Sequence, residues 1–276
     1  MIVFAVPTPQ RTTQHRDAGI LSNYIKPVLK EATLLRMNAS VFILHLLMTA
    51  NFSVLPLIFR DHLQFKTADH WMIYLPVLAV SLIFSLPLII IAEKYRKIKI
   101  VFILTVVLLI ISQTILSLFP FDFYPLMGAF LLFFIGFNFL EAVQPSLVAK
   151  YSDVNTKGTA MGVYSTAQFL GIFVGGIIGG LVLQNWGISG VFVFSALMAI
   201  LLLVIAMSLP RPDFFKTHLI KLKDEFINQP EKTQTQLLAI SGVKQAAVSV
   251  NEGLAYLKID KDYLDQVGLE HFSPKS

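Results

Sequence analysis

Residues 124–148 read YPLMGAFLLFFIGFNFLEAVQPSLV, an apolar run that carries one carboxylate, two side-chain amides and an internal proline, Pro145. At about 1.5 Å of rise per residue, ~20 residues cross a ~30 Å hydrocarbon core, so this stretch can span a bilayer. Five further runs of the same kind lie at 38–59, 71–92, 99–119, 159–184 and 189–209. They are continuous, not alternating, and read as buried helix. The predicted fold is an all-α membrane bundle of six transmembrane helices over 38–209. Pro76, Pro87 and Pro145 are tolerated inside such helices where neighbouring helices, hydroxyls or water satisfy the freed carbonyls.

Composition supports this. Hydrophobic residues make up 55% of the 276-residue chain and charged residues 14%, which excludes an ordinary soluble domain. With no cysteine, disulfides and thiolate metal sites are excluded; no metal or other cofactor is expected. The net charge of +5 sits mainly in connecting segments, so it is read as topology and not as a nucleic-acid footprint. One side carries Arg11, Arg16, Lys26, Lys30, Arg36, Lys94, Arg96, Lys97, Lys99, Lys150 and Lys157, and the other only Arg60 and Lys66. That bias predicts both termini in the cytoplasm, with anionic headgroups of the bilayer as a partner of the basic segments.

Residues 1–37 read as the end of a preceding transmembrane helix, MIVFAVPTP, followed by a cytoplasmic connector. The connector holds an amphipathic stretch from Ile20 to Leu35, broken at Pro27. Residues 210–276 open with Pro210-Arg211-Pro212 and change character. Thr217–Lys223 alternates as a strand, Glu231–Ile240 reads as a helix, Val243–Val250 and Leu254–Ile259 as strands, and Asp262–Val267 begins another helix. The order βαββα predicts a small α+β ferredoxin-like domain, with only His271–Ser276 left to supply a last strand.

Polar groups inside the spans need a reason to be there. His45, Thr49 and Ser53 share one face of the first span with Asn51 nearby, and Asn138, Glu141, Gln144 and Pro145 share a face of the fourth. Counted from the cytoplasmic ends, His45 and Glu141 each lie about seven residues in, ~10 Å deep. Glu141 and His45 are therefore predicted to face one aqueous cavity as a titratable pair. Asn138 and Thr49 are its neutral partners, with Asn51, Gln144 and Gln168 as further candidates for the substrate cavity. Glu141 as a helix tether and His45 as a packed core residue is the competing reading. Gly171, Gly175, Gly176, Gly179 and Gly180 form a small-residue surface for close helix packing and, through it, for gating by rocking. No nucleophile, base and orienting group recur at usable spacing, so no enzyme is expected.

Glu141-Ala142-Val143-Gln144-Pro145-Ser146-Leu147, then Lys157 to Ser165 (KGTAMGVYS), then Gln168-Phe169-Leu170-Gly171 resemble the tenth and eleventh helices of the major facilitator superfamily. The likeness is to its YajR type of efflux transporter, which also ends in a small cytoplasmic plait. It extends to Leu44-His45-Leu46, Val54-Leu55-Pro56 and Tyr256 to Asp260. The resemblance implies that the spans correspond to helices 7 to 12. Helices 7 and 10 then line a central cavity, 8 and 11 meet the opposite half, and 9 and 12 face lipid. A degenerate echo of the family's loop motif stands at Glu93, Lys94, Arg96, Lys97 and Lys99, without its glycine and second arginine. The implied function is proton-coupled export of small solutes or drugs from a bacterial inner membrane. Small-molecule substrate and protons are then partners, and a missing N-terminal six-helix half or a second copy completes the site. The alternatives are a truncated, non-transporting membrane fragment, a half that needs a partner chain, or a chain whose tail is a regulatory module.

Overall fold

The computed structural model describes residues 22–153, 156–212, 216–250, 252–260 and 263–273. The chain divides into two compact bodies. One is Lys26–Tyr151 with Ala160–Asp213; the other is Met1–Ile25 with Ser152–Thr159 and Phe214–Ser276. The segment between the fourth and fifth predicted spans thus belongs with the tail.

The first body is helical. After α1 (Ser22–Lys30), α2 (Ala32–Leu57) begins six residues earlier than the sequence indicates. Pro27 lies inside α1 and does not break it; the break is at Glu31, whose carboxylate caps α2 by accepting from the Leu34 backbone N–H. Ile20 and Leu21 lie outside the described residues. Pro56 cannot donate to the Phe52 carbonyl, and two residues later the chain widens into a π-helical turn, Ile58–His62. A 3-10 turn, Thr67–Asp69, leads into α3 (Trp71–Lys94), followed by α4 (Ile98–Leu118) and α5 (Phe123–Tyr151).

The last stretch, α6 (Lys157–Ser208), runs 52 residues, ~78 Å if straight and far beyond any hydrocarbon core. It is two helical segments: Gly187 has φ 70° and ψ −170°, a backbone open to glycine, and it falls in the gap predicted between 184 and 189. Counted with α6 as one stretch, five helices among the described residues are long and apolar enough to cross a membrane.

α5 packs against α4, α3 and α2. Its approach to α4 depends on Gly136, where a Cβ would come within 3.0 Å of the Thr105 carbonyl oxygen. Phe59, Phe130, Phe133 and Phe139 fill the interior. Leu75, Ile83, Phe84, Leu86 and Ile90 of α3 and Phe169, Phe173 and Leu181 of α6 stand outward. An apolar surface of that extent is suited to lipid or another protein, not water.

At the basic end of this body Lys99 Nζ donates to the carbonyls of Met207 at 2.9 Å and Leu209 at 2.5 Å, and Arg36 reaches the Ser208 carbonyl at 3.3 Å. Two cations thus sit on the terminal carbonyls of α6, where the helix dipole is negative. Lys150 Nζ binds both oxygens of Glu93 at 2.9 Å, joining the ends of α5 and α3.

The second body holds a three-stranded antiparallel sheet ordered β1-β3-β2, from β1 (Lys216–Lys221), β2 (Val243–Ser249) and β3 (Leu254–Ile259). Helices α7 (Asp224–Ile227), α8 (Pro230–Leu238) and α9 (Gln266–Glu270) accompany it. The third helix starts later than the sequence suggests, because Asp265 takes the N-cap and accepts from the Gly268 N–H. A bulge between Val243 and Gln245 shifts the β2–β3 register. Gly242, at φ +85°, makes the turn into β2, and a Cβ there would lie 2.6 Å from Leu264 Cα.

Alternation splits the sheet's faces. Ile220, Leu222, Ala246, Val248, Ala255, Leu257 and Ile259 form a core with Leu237, Leu269 and Phe272. On the other face Tyr256 and Ala247 are buried, Lys258 Nζ donates to the Ser152 carbonyl, and Gln245 Nε2 donates to Asp153 Oδ1 at 2.8 Å.

Candidate functional site

α2, α5 and α6 each bring one polar side chain to a common point. His45, on α2, is buried, with Nδ1 3.0 Å from the Val41 carbonyl oxygen. A carbonyl can only accept, so Nδ1 carries the hydrogen and Nε2 presents a lone pair in the neutral ring. Gln168 of α6 places its Nε2 2.9 Å from that lone pair and 3.2 Å from Glu141 Oε1 on α5. One carboxamide, with two hydrogens, bridges the two titratable groups.

Glu141 Oε2 stands 3.4 Å from His45 Nε2, within ion-pair range but without hydrogen-bond alignment. That oxygen is sealed from solvent, although the whole side chain is 39% exposed against 4% for His45. The carboxyl therefore has one oxygen turned in and the remainder open. Pro145 adds a second device. It lacks the N–H that would bond the Glu141 carbonyl, so the α5 ladder is open at the residue bearing the acid. A carboxyl and an imidazole are both groups able to carry a proton.

The other predicted cavity residues are placed differently. Thr49 returns its hydroxyl to the His45 carbonyl at 3.0 Å, and Ser53 bonds the Ala50 carbonyl. Asn51 is buried with neither side-chain polar atom hydrogen-bonded. Asn138 Nδ2 donates to Ser81 Oγ of α3 at 2.9 Å. Gln144 is fully buried, donating to Ser40 at 2.9 Å and accepting from the Tyr164 hydroxyl at 3.4 Å. It ties α2, α5 and α6 together one turn from Glu141 and is not turned to an open surface.

The glycines divide into two sets. A Cβ on Gly171 would meet the Phe42 carbonyl oxygen at 2.3 Å, on Gly175 that of Leu46 at 2.6 Å, and on Gly179 the Ala50 Cα at 3.0 Å. These three ride on Phe42, Leu46 and Ala50 of α2, four-residue spacing against four-residue spacing. Their face is thus occupied within the chain and not left free for lipid. Gly176 has only Thr49 Cγ2 at 3.6 Å, and Gly180 has open space.

In the loop motif, Glu93 and Lys99 make the contacts described above, Lys94 lies 5.8 Å from the Tyr95 ring centroid, Lys97 N–H closes on the Ala92 carbonyl, and Arg96 takes φ 55°.

Sequence reasoning passed over Tyr164, Ser40 and Ser81. Tyr164 was detectable, four residues before Gln168 and so on its face; a single serine in an apolar helix gives no comparable signal.

A family profile described as Major Facilitator Superfamily matches residues 37–257. The chain is 33% identical over 270 residues to "Inner membrane transport protein YajR" of Escherichia coli strain K12, covering 98% of this chain and 59% of that protein. It is 34% identical over 182 residues to an "Uncharacterized transporter" of Buchnera aphidicola subsp. Baizongia pistaciae, 66% of this chain and 46% of the relative. "Uncharacterized transporter BU466" of Buchnera aphidicola subsp. Acyrthosiphon pisum is 33% identical over 173 residues, 60% and 41% respectively. The chain spans about half the length of these curated relatives.

Proposed function

The chain belongs to the major facilitator superfamily, and on that basis we propose that it forms a six-span lobe of a secondary transporter whose proton site is Glu141 with His45. The six spans are α2, α3, α4, α5 and the two segments of α6 on either side of Gly187. The lobe supplies half of a central cavity, and an N-terminal six-helix lobe or a second copy supplies the other half. The proposed setting is a bacterial inner membrane with both termini in the cytoplasm, and the proposed activity is proton-coupled export of small solutes or drugs. Residues 210–276, as a ferredoxin-like cytoplasmic domain, then carry a regulatory role.

One observation carries this reading: three helices converge a carboxyl, an imidazole and an amide within 3.4 Å of one another beneath an open face. A structural tether would not need a half-exposed acid at that point. Proton loss from Glu141 on one side of the membrane and uptake on the other drives the exchange as this lobe rocks against the other. The test is proton flux in vesicles loaded with a pH dye, holding this chain with a co-expressed N-terminal lobe and challenged with a panel of small organic solutes. Solute-driven flux is expected in the wild type and is expected to vanish in Glu141→Gln. Flux that persists in the variant removes Glu141 as the coupling group, and a wild type without flux leaves a non-transporting membrane protein.

A further inference from the structure

The amide between His45 and Glu141 has a property that a cavity lining does not need. Its nitrogen faces two acceptors at once, His45 Nε2 at 2.9 Å and Glu141 Oε1 at 3.2 Å. Both contacts hold only while the imidazole is neutral with its hydrogen on Nδ1, the tautomer required by the Val41 carbonyl. A proton arriving at Nε2 turns that acceptor into a donor and sets two N–H groups against each other. The carboxamide must then rotate and offer its oxygen to His45. The same rotation points the oxygen at Glu141 Oε1, which is acceptable only if that oxygen also carries a proton.

We propose, building on the proton-site reading above, that Gln168 is a positioning residue whose carboxamide reports the proton count of the pair to α6. With no proton added, nitrogen inward satisfies both partners. With both groups protonated, oxygen inward satisfies both. With only His45 protonated, either orientation loses one of the two bonds, nitrogen inward giving up the contact to α2 and oxygen inward the contact to α5, so the hold of Gln168 on the pair is weakest while a single proton is held as the His45–Glu141 ion pair. The helix that bears Gln168 is also the one whose Gly171, Gly175 and Gly179 lie on the α2 backbone. Loosening that hold therefore acts on a contact with no large side chains between the two backbones.

Other groups do not stand in for it. From α6 the titratable Tyr164 gives its hydroxyl to Gln144 on α5. α3 has no charged residue between its ends before Glu93, its Tyr74 lying near the opposite terminus, and α4 has none beyond Lys99. Among the described residues, the sealed and unbonded Glu141 Oε2 stands 3.4 Å from His45 Nε2, while Oε1 is the oxygen that meets the amide.

The test is nitrogen NMR of the full chain in lipid nanodiscs, with 15N-labelled histidine and glutamine, as a function of pH. His45→Asn identifies the imidazole signals and Gln168→Asn those of the amide. Above the His45 transition, a through-hydrogen-bond coupling is expected between Gln168 Nε2 and His45 Nε2. The coupling is expected to disappear through the transition, with the Gln168 amide signal moving at the same midpoint. Gln168→Asn keeps the amide but shortens its reach, and loss of the coupling is expected there at every pH. A Gln168 signal that stays fixed while His45 titrates overturns the proposal, as does absence of the coupling at high pH. Neither result depends on flux, so failure here and failure of proton-coupled transport are separate outcomes.

Discussion

Two buried glutamines illustrate how much the surroundings of one residue decide. Gln144 holds Ser40 and Tyr164, so Gln144→Leu strands both hydroxyls and is expected to destabilise the chain by about 1–3 kcal/mol. Gln113 on α4 is as deeply buried, yet neither of its amide atoms has a hydrogen-bond partner. Gln113→Leu removes an uncompensated polar group and is expected to be neutral or stabilising, by up to about 3 kcal/mol. Denaturant unfolding in detergent micelles distinguishes the two, and equal losses would contradict the account. From sequence Gln144 shares a face with Asn138 and Glu141 and Gln113 does not, but the hydrogen-bond partners that separate the two amides come from other helices and are not readable there. The closeness of Glu141 to His45 was more legible, because matching depth on two antiparallel helices follows from residue counting. The bridging role of Gln168 was not, since it depends on the rotation of α6 about its axis.

Among the elements, α6 against α2 carries the clearest consequence. A methyl on Gly175 would collide with the Leu46 backbone, which can yield only by separating the helices, whereas Gly180 has open space. Gly175→Ala is expected to cost about 1–3 kcal/mol through overpacking, more than the ~1 kcal/mol that alanine returns in helix propensity. Gly180→Ala meets no obstacle and is expected to keep that gain. Thermal unfolding of the two variants should therefore shift in opposite directions. Lys99→Ala uncaps the end of α6 and is expected to lower stability by about 0.3–1 kcal/mol, an effect that salt should diminish. Span existence was readable from the length of the apolar runs, and the break in α6 from the short gap that contains Gly187. Helix ends were less so: α2 starts at Ala32 because of the Glu31 cap, an interaction invisible in hydropathy. The glycine stripe was evident, but which three of the five glycines lie directly on the α2 backbone depends on helix rotation.

At the scale of the whole molecule, the described residues expose two kinds of surface in the helical body. Outward leucines and phenylalanines, such as Leu104 at 57% exposure, form an apolar surface suited to lipid, and the face bearing Glu141, whose side chain is 39% exposed, is the proposed wall of the passage. In the tail, the three strands and α8 were legible from alternation and turn residues, whereas the one-turn helix α7 between β1 and α8 was not. The association of Ser152–Thr159 with the tail was not, because Lys258 and Gln245 reach this segment across about ninety or more residues of sequence. The wetness of the Glu141 face underlies the whole functional account, and the absence of native cysteine permits a clean measurement of it. Single-cysteine variants Glu141→Cys and Leu104→Cys, reconstituted in lipid vesicles, are exposed to a charged thiol reagent that does not enter membranes. Rapid labelling is expected at position 141 and none at position 104 until the protein is dissolved in detergent and unfolded. A cysteine at 141 as inert as the one at 104 would place the acid among acyl chains or sealed side chains and contradict the proton site.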